Sequence, residues 1–529
     1  LAAEYGDTEA INILVEAGAL VDAKNGDGLF ALGLAAREGH LDCVKALLTA
    51  KATISLCDKE GTTAVMEAVN SGRVDILQEL IAAGADIHAR DNMGRTALLL
   101  ADTADVAEVL LAAHADVNVR DTNGCSPLFH AVETRDIEYV ETILKAGAKI
   151  NGECQPWMSP LLQVFSNRLI PINVDIFQLL LDRGADASAV NPDGDGALHL
   201  LAFHRQIDIR IAEQLMDAGA SVNLRNHAGK TALMYAIQNN ALALVSLLLD
   251  RHADVNLRDN EGKTALLDAV YIGSTEVVRA LLSPGLKCQV DTQDQNGETP
   301  LMAAIQTRAR DIVKLLIGAQ ANVNLVDSTS ATALQYAIRN RDVDTLKLLV
   351  AAGAQPEIGY PANVSPLFTA LVSRESDMLD ALLEAKAHLD MSKFTKYDTK
   401  SLERVILYGK RDSLEKLLVA GLDLSEVTQL SGVAVHQACW RNDESILRLL
   451  VQAGARIDAE DPCRPDITPL MAAAAVASPR LLKWLLETCC HKIGYLKPLE
   501  NLPDLSESEE AWVPPPLPLI GAFIDENGV

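Results

Sequence analysis

The sequence predicts an all-α fold, a solenoid of stacked helix-turn-helix repeats with projecting β-hairpin or turn tips. One phrase returns about every 33 residues along the 529-residue chain, and a fixed period of that length indicates repeats stacked in a row. Each copy holds two short apolar segments at helical spacing and then a stretch rich in Asp, Asn and Gly. The third residues of the copies, which we call the anchors, are Leu32, Val65, Leu98, Leu128, Leu161, Leu198, Leu233, Leu266, Leu301, Leu334, Leu367, Leu402, Val435 and Leu470.

The first helix of a repeat is predicted to begin just after a threonine or serine, whose side-chain oxygen can cap free backbone amides. Pro300 and Pro469 occupy the next position, where a missing N–H costs nothing. The anchor and small residues such as Ala303 give a narrow apolar stripe, which lets a neighbouring helix approach closely. The threonines expected to cap first helices are Thr231, Thr264, Thr299 and Thr332.

A polar break, as at 37–40, separates the first helix from the second, in which Val44, Leu47 and Leu48 keep helical spacing. The second helix is predicted to end at a glycine in the left-handed conformation. An exposed tip follows, as at 91–94, where Asp and Asn bond their own backbone and Gly tolerates positive φ. The glycines expected to end second helices are Gly84, Gly147, Gly219, Gly353 and Gly454.

The phrase resembles the ankyrin repeat, which has the same period and the signature T-P-L-H-x-A. The copies TALMYAIQNN from Thr231 and TALLDAVYIG from Thr264 are the clearest, and the resemblance covers residues 1–487. It implies a curved stack of paired helices, with tips projecting to one side, that binds proteins. His199 and His436 align with the histidine of the signature, for which the resemblance implies a structural hydrogen-bonding role.

The expected organisation is one elongated array over 1–487, a partial repeat plus about fourteen further repeats, because repeats that contact only their neighbours form one body. Leu1 aligns with Leu34, so the sequence starts inside a repeat and is interpreted as a region of a longer protein. Residues 488–529 are acidic and proline-rich, which favours flexible or polyproline structure. Alternatively, they are an insertion before a further, truncated repeat that opens near Pro518.

Composition narrows the expected partners to proteins. The formal net charge of −26 argues against nucleic acid and against anionic membrane surfaces. No apolar run approaches the roughly 20 residues that span a bilayer, so we expect no direct membrane insertion. The nine cysteines are scattered without a C-x-x-C motif, which favours reduced thiols and an intracellular, cytoplasmic setting. The sequence leaves the oligomeric state open.

No catalytic, cofactor or metal site is predicted, so we expect the protein not to be an enzyme. The two GKT sequences at 229–231 and 262–264 resemble the end of a phosphate-binding loop, but that loop needs a glycine five residues earlier. Leu224 and Leu257 stand there instead. The Cys-Cys-His cluster at 489–491 matches no standard zinc spacing.

Two repeats differ in length from the others. The repeat between Leu98 and Leu128 is three residues shorter than the usual period, which predicts a shorter turn between its two helices. The repeat between Leu161 and Leu198 is four residues long, and Pro171 ahead of its second helix predicts a longer loop at that point.

The resemblance implies that partner contacts use the tips and the exposed residues of the first helices. Trp157 replaces a tip glycine and Tyr360 a tip aspartate. An exposed Trp is a good interface anchor, although packing of Trp157 against the neighbouring tip is an equal alternative. The candidate partner-binding residues are Asn92, Met93, Arg95, Trp157, Met158, His227, Lys230, Gln238, Asn239, Asn260, Glu261, Lys263, Tyr271, Arg339, Asn340 and Tyr360.

The sequence therefore predicts a non-enzymatic scaffold or adaptor that binds one or more proteins on a concave groove and on the tips. The alternative is a regulatory or tethering array of a larger enzyme, membrane channel or cytoskeletal protein. A third interpretation is a substrate for modification, because the resemblance implies hydroxylation of asparagines near the ends of second helices. Asn118, Asn256 and Asn324 stand in matching Val-Asn contexts.

Overall fold

A computed structural model describes residues 1–151, 159–356, 358, 366, 376–384, 411–425, 428–457, 468–476 and 478–493. The chain divides into two compact bodies, Leu1–Gln295 and Asn296–Val529. Both are built from pairs of short helices, which confirms the predicted all-α solenoid of helix-turn-helix repeats.

The N-terminal body, Leu1–Gln295, alternates first and second helices of one to two and a half turns. Its helices are α1 Ala2–Tyr5, α2 Thr8–Glu16, α3 Ala31–Arg37, α4 Leu41–Thr49, α5 Ala64–Asn70, α6 Val74–Ala82, α7 Ala104–Ala112, α8 Pro127–Thr134, α9 Ile137–Lys145, α10 Pro160–Gln163, α11 Val174–Asp182, α12 Ala197–Ala202, α13 Ile209–Asp217, α14 Ala232–Gln238, α15 Leu242–Asp250, α16 Ala265–Ile272 and α17 Thr275–Leu281. Two 3₁₀ turns, Ala97–Leu100 and Pro284–Leu286, complete it.

The C-terminal body, Asn296–Val529, continues the same alternation in its described residues. Its helices are α18 Pro300–Gln306, α19 Arg310–Gly318, α20 Ala333–Arg339, α21 Val343–Ala351, α22 Ser376–Glu384, α23 Arg411–Val419, α24 Thr428–Trp440, α25 Glu444–Gln452, α26 Pro469–Ala475 and α27 Pro479–Ile493. The last helix runs past residue 487, where the sequence placed the end of the array; that boundary stays a prediction.

The core lies between like helices of successive repeats. First helices pack on first helices, as α3 does on α5 and α14 on α16, and second helices pack on second helices, as α13 does on α15. The anchors from Leu32 to Leu334 are almost fully buried, as is Val435, with Leu128 and Leu266 at 0% exposure; Leu470 is half-buried. Burying such a leucine contributes about 1.5–3 kcal/mol, so each anchor fixes the position of one repeat against the next.

Helix ends follow the predicted chemistry with one exception. Thr231, Thr264 and Thr299 each accept a hydrogen bond from the backbone N–H three residues on, at 3.2–3.4 Å. Thr332 does not cap its helix in this way: its backbone N–H donates to Gln335 Oε1 at 3.3 Å, while its buried hydroxyl has no partner. Thr332 is therefore the N-cap residue of α20, as predicted, but the Gln335 side chain rather than the Thr332 hydroxyl makes the cap hydrogen bond. The glycines expected to end second helices all have φ between 85° and 100°.

The short repeat differs from the prediction. Its second helix follows after three residues, 101–103, the same number that joins α5 to α6. The missing residues are lost from the first helix instead, which is a single 3₁₀ turn, Ala97–Leu100, where α5 has seven residues. Tyr139 of α9 donates its hydroxyl hydrogen to Ala101 O at 2.8 Å. A buried side chain of the next repeat therefore provides the hydrogen-bond partner that this carbonyl would have found within a longer helix.

The long repeat confirms the expected extended loop. Residues 164–173 connect the four-residue α10 to α11. Phe165 in this loop is buried and packs edge-on against Phe177, with ring centroids 5.9 Å apart. His204 Nε2 lies 3.2 Å from Phe165 O. The extra residues therefore close back on the core through an aromatic ring and one hydrogen bond.

The tips form a ladder along each body. Within a tip, an aspartate or asparagine accepts hydrogen bonds from backbone N–H groups two and four residues later, as Asp121 does from Asn123 and Cys125 at 2.9 and 2.8 Å. Between tips, backbone bonds run from one repeat to the next, as from His227 N to Asp193 O at 2.8 Å. Gly229, at φ 76°, closes one tip where the backbone of Asn260 approaches.

Candidate functional site

The base of several tips is built from three positions that lie close together. They are the tip aspartate or asparagine, the residue four later, and the residue nine later on the first helix; we call them the tip-base triad. Regular tip geometry brings the first helix back beneath the tip, so side chains nine residues apart meet. The triads with a polar ninth residue are Asp58, Thr62 and Glu67; Asp121, Cys125 and His130; Asn226, Lys230 and Tyr235; Asp259, Lys263 and Asp268; and Asp327, Ala331 and Tyr336.

Two triads are closed by a tyrosine hydroxyl. Tyr336 donates to Asp327 Oδ2 at 2.7 Å, and Asn226 Nδ2 donates to Tyr235 OH at 2.9 Å. Asp327 is buried, and its pKa is lowered although burial opposes this, because two hydroxyls and two backbone N–H groups donate to it. In these tips the ninth residue has a structural role.

Several predicted site residues meet on α14, α16 and the tips that precede them, and we call this group the central cluster: Lys230, Tyr235, Gln238, Lys263, Asp268 and Tyr271. Lys230 Nζ donates to Gln238 Oε1 at 3.2 Å, and Gln238 Nε2 donates to Asp268 Oδ2 of the next repeat at 3.1 Å. Lys230 Nζ and Lys263 Nζ lie 5.5 and 5.8 Å from the ring centroids of Tyr235 and Tyr271. Asp268 interacts electrostatically with both lysines, so the cluster is a row across two repeats held by hydrogen bonds and charge.

Aromatic residues that the sequence analysis missed extend this row. The Phe203 ring lies 4.4 Å from that of Tyr235 between centroids, and Arg168 Cζ lies 4.1 Å over the Phe203 ring. Arg168 comes from the long loop of an earlier repeat, so sequence spacing gave no signal for this contact. Tyr235 could have been found, because it stands nine residues after the tip asparagine.

The electrostatics of the central cluster are set by one buried acid. Burial raises the pKa of Asp268 to about 6, although the hydrogen bond from Gln238 opposes the rise. Lys263 has a raised pKa because of its 2.7 Å contact with Glu261. Burial also raises the pKa of Tyr235. The row thus presents two ammonium groups beside aromatic rings and a carboxyl group that titrates near neutral pH.

The predicted residues on the exposed side of this region lie at the tips and at the ends of the first helices. His227 and Asn260 stand on adjacent tips, and Asn260 Nδ2 donates to His227 O at 2.8 Å. Asn239 is exposed at the end of α14 and donates back to Tyr235 O at 3.1 Å. Tyr271 is 40% exposed. His227, Asn260 and Asn239 thus border the central cluster and, with exposed Tyr271 of the cluster itself, widen the surface that a partner could contact.

The earlier tip at 91–95 is separate from that cluster. Asn92 is exposed and donates to Lys59 O at 2.9 Å, while Met93 is 50% exposed. Arg95 Nε donates to Asp91 Oδ2 at 2.7 Å. Here the residue four after the aspartate, rather than the ninth, closes the triad.

The predicted residues of the C-terminal body lie on α20. Arg339 is exposed and its Cζ lies 5.8 Å from the Tyr336 ring centroid. Asn340 Nδ2 donates to Ile305 O at 2.8 Å, which ties two repeats together. Trp157, Met158 and Tyr360 lie outside the described residues, so their interface role stays a prediction.

The asparagines considered for hydroxylation bridge successive repeats. Asn118 Oδ1 accepts from Lys149 N at 2.8 Å, and its Nδ2 faces Gly147 O at 3.4 Å. Asn256 bonds Gln289 N and Lys287 O in the same way, and Asn324 bonds Gln355 N and Gly353 O. All three are half-buried. We call this arrangement the asparagine clamp.

The residues that the sequence analysis rejected as catalytic make structural contacts. His199 is buried, its Nδ1 accepts from Gly196 N at 3.2 Å, and its Nε2 lies 3.2 Å from Lys230 O. Burial lowers its pKa, so the neutral ring joins two repeats. The lysines of both GKT sequences belong to the central cluster. Within the described residues, no helix is long and apolar enough to cross a membrane.

Comparison with known proteins identifies the repeats. A family model described as ankyrin repeats, in three copies, matches 1–91, 75–154, 171–259, 244–327, 269–360 and 311–393. A stretch of 122 residues, 23% of this chain, is 32% identical to a protein of Rickettsia felis described as an ankyrin repeat protein, of which it covers 40%. Another protein of that description from the same organism is 36% identical over 76 residues, which are 14% of this chain and 34% of that protein.

A further stretch of 150 residues, 28% of this chain, is 26% identical to an L-asparaginase of Dirofilaria immitis and covers 25% of that protein. The chain thus spans between 25% and 40% of the curated relatives that it matches. The family match extends over most of the chain, with the period and helix pairs that the structure shows. The chain therefore belongs to the ankyrin-repeat family, whose repeats are in general protein-protein interaction modules.

Proposed function

We propose that this protein is a non-enzymatic scaffold or adaptor that binds one or more partner proteins along its tips and first helices. The observation that carries the proposal is the central cluster, in which two lysines, two tyrosines and a buried acid form one connected row across two repeats. Interfaces are enriched in Tyr and Arg, and their energy is concentrated in a few such residues.

The row suits a protein partner better than a polyanion. Its cations are already engaged: Lys263 contacts Glu261, and Lys230 bonds Gln238. The formal net charge of −26 works against nucleic acid, since binding phosphates requires clusters of uncompensated Lys and Arg. Exposed tyrosine faces and amides instead offer stacking and hydrogen bonds to peptide groups. An intracellular, cytoplasmic location fits this function and is part of the proposal.

The alternative is a regulatory or tethering array in a larger enzyme, membrane channel or cytoskeletal protein. One observation favours it: part of the chain is similar to a quarter of a protein named L-asparaginase. In that case the array would bind its partner in the same way while another region performs the chemistry.

Asparagine hydroxylation is a compatible third proposal. The clamps hold Asn118, Asn256 and Asn324 at defined positions between repeats. Intact mass of protein from its native cells tests the proposal: hydroxylation adds the mass of one oxygen per site, and mass equal to the unmodified chain would contradict it.

The scaffold proposal is tested by affinity capture with quantitative mass spectrometry, using the full chain and a double variant, Lys263→Glu with Tyr271→Ala. Both side chains are partly exposed, so the variant should keep its helical circular dichroism. The matched control is Arg279→Glu, an exposed charge reversal on the second helix of the same repeat. We expect a direct partner to be retained by the parent and the control and reduced at least about tenfold with the double variant. Equal recovery by all three proteins would refute binding through the central cluster.

A further inference from the structure

The tip-base triad at Asp121 combines three metal-binding residue types. Asp121, Cys125 and His130 each place one ligand atom within 4.8 Å of the other two. Cys125 is 6% exposed, and the Asp121 side chain is 5% exposed. The triad is therefore a compact group of carboxylate, sulfur and imidazole beneath one tip.

In this triad no hydrogen bond joins the ninth residue to the tip aspartate, unlike in the triads that contain tyrosine. His130 Nε2 lies 3.9 Å from Asp121 Oδ2, which is too long for a hydrogen bond. His130 Nε2 is buried from solvent and has no hydrogen-bond partner. At the same position Tyr336 reaches Asp327 Oδ2 at 2.7 Å. An unsatisfied buried nitrogen is costly, and a cation between the nitrogen and the carboxylate would satisfy both groups.

The surroundings orient these ligands. Asp121 Oδ1 already accepts the N–H groups of Asn123 and Cys125, which fixes the carboxylate and leaves Oδ2 directed towards His130. Glu133 Oε2 lies 3.6 Å from His130 Nδ1, on the opposite edge of the ring. This separation is longer than a hydrogen bond, but a small rotation of the exposed Glu133 side chain would let it accept the Nδ1 proton, as the outer partner of a metal-binding histidine usually does.

We infer that Asp121, Cys125 and His130 bind a zinc ion through Oδ2, Sγ and Nε2. Tetrahedral zinc with such ligands places them about 3.3–3.7 Å apart, so the 3.9 Å separation between Oδ2 and Nε2 needs only a small side-chain movement. Sulfur and imidazole together select zinc over the magnesium or calcium that an oxygen-only site would take. Water completes the fourth position, since the His130 side chain is 26% exposed.

Zinc at this site would join the tip to its own first helix, α8. Asp121 and Cys125 belong to the tip, and His130 belongs to the helix. The metal would replace the tyrosine hydrogen bond of other repeats with three metal–ligand bonds. This inference concerns a structural site and does not depend on the proposed partner surface.

The test measures metal binding by the full chain after removal of metals with EDTA under reducing conditions. Zinc is titrated against a chromophoric chelator, and cobalt(II) is used as a spectroscopic probe. We expect one tight site per chain, with a sulfur-to-cobalt charge-transfer band and tetrahedral d–d bands. His130→Tyr and Cys125→Ser should each weaken zinc binding at least about a hundredfold, and Glu133→Gln about tenfold.

His130→Tyr copies the residue that other tips use, so its fold should be retained, and Glu133→Gln alters a mostly exposed side chain. The matched control is Cys57→Ser, which removes a cysteine just before another tip and should leave the band unchanged. The inference fails if His130→Tyr binds zinc with the stoichiometry and affinity of the parent. It also fails if folded parent protein shows no sulfur-to-cobalt band.

Discussion

The tip bases at Asp327 and Asp121 share a backbone arrangement but differ in what the ninth residue does. At Asp327, a tyrosine hydroxyl closes the triad at 2.7 Å. At Asp121, a histidine leaves a 3.9 Å gap and an unpartnered nitrogen. A third version has Asp268 nine residues after Asp259, and there the ninth residue is a buried acid. The comparison teaches that the repeat brings the ninth residue close to the tip aspartate, whereas the type of that residue determines its role. A tyrosine forms a structural hydrogen bond, an aspartate titrates with a raised pKa, and a histidine is suited to bind a metal.

The largest effect is expected where the hydrogen bond involves a charge. Tyr336→Phe removes the hydroxyl that donates to Oδ2 of buried Asp327 and should cost about 2 kcal/mol, because bonds to charged groups contribute about 1.5–3 kcal/mol. Hydrogen exchange of the α20 amides at neutral pH measures the loss. The effect should shrink in acid once Asp327 is protonated. Unchanged exchange would show that the hydroxyl does not stabilise this tip.

Removing the charge of Asp268 should stabilise the protein above pH 6. The folded-state pKa is about 6, above the ordinary value of 3.8, so ionisation disfavours the folded state as pH rises through this window. Asp268→Asn removes that cost and keeps an acceptor for Gln238, which gives a gain of about 2 kcal/mol at pH 8. Urea unfolding at pH 8 and below pH 4 checks this; an equal difference at both values would exclude titration as its cause.

Tyr235→Phe should have a smaller effect than Tyr336→Phe. Its hydroxyl accepts from Asn226, a neutral group that also donates to Asp195 at 2.7 Å. Loss of one neutral hydrogen bond costs about 1 kcal/mol. Hydrogen exchange of the α14 amides measures the loss of stability. A loss as large as that for Tyr336→Phe would show that the charge of the bonded carboxylate does not cause the difference between the two tips.

The smallest effect is expected from His130→Tyr in EDTA. The new hydroxyl should reach Asp121 as Tyr336 reaches Asp327, with a gain of about 0.5 kcal/mol, at the low end for one hydrogen bond. Thermal unfolding of parent and variant, each with and without zinc, measures the difference in their stability. Zinc should raise the midpoint of the parent alone, and a variant that is less stable in EDTA would show that this tip cannot accommodate the tyrosine.

The sequence predicted the parts of the fold that depend on local rules. Thr231 and Thr264 as caps, Gly84 and Gly147 at helix ends, and the buried anchors follow from residue type and period, because each acts on its own backbone or its own repeat. The longer loop before α11 was also anticipated, since Pro171 cannot join a helix interior.

The parts that failed depend on contacts between distant side chains. Shortening of the first helix to Ala97–Leu100 depends on Tyr139 of a later helix, which satisfies Ala101 O. The contact of Arg168 with Phe203 joins two repeats through an irregular loop. The triad at Asp121 was missed because its residues match no metal-binding spacing and meet only when the tip folds over α8.

The asparagine clamps imply where the N-terminal body would yield under tension. A force along a row of repeats loads its boundaries in series, so the boundary with the fewest cross-links opens first. Asn151 bonds Gly184 and Asp186 in the following repeat, and Asn256 bonds Lys287 and Gln289. At the corresponding places the turns bond internally: the Ser188 hydroxyl donates to Asp186, and the His88 backbone N–H donates to Asp86. Extension would therefore begin at boundaries without a clamp, such as those that follow His88 and Ser188, before the clamped repeats separate.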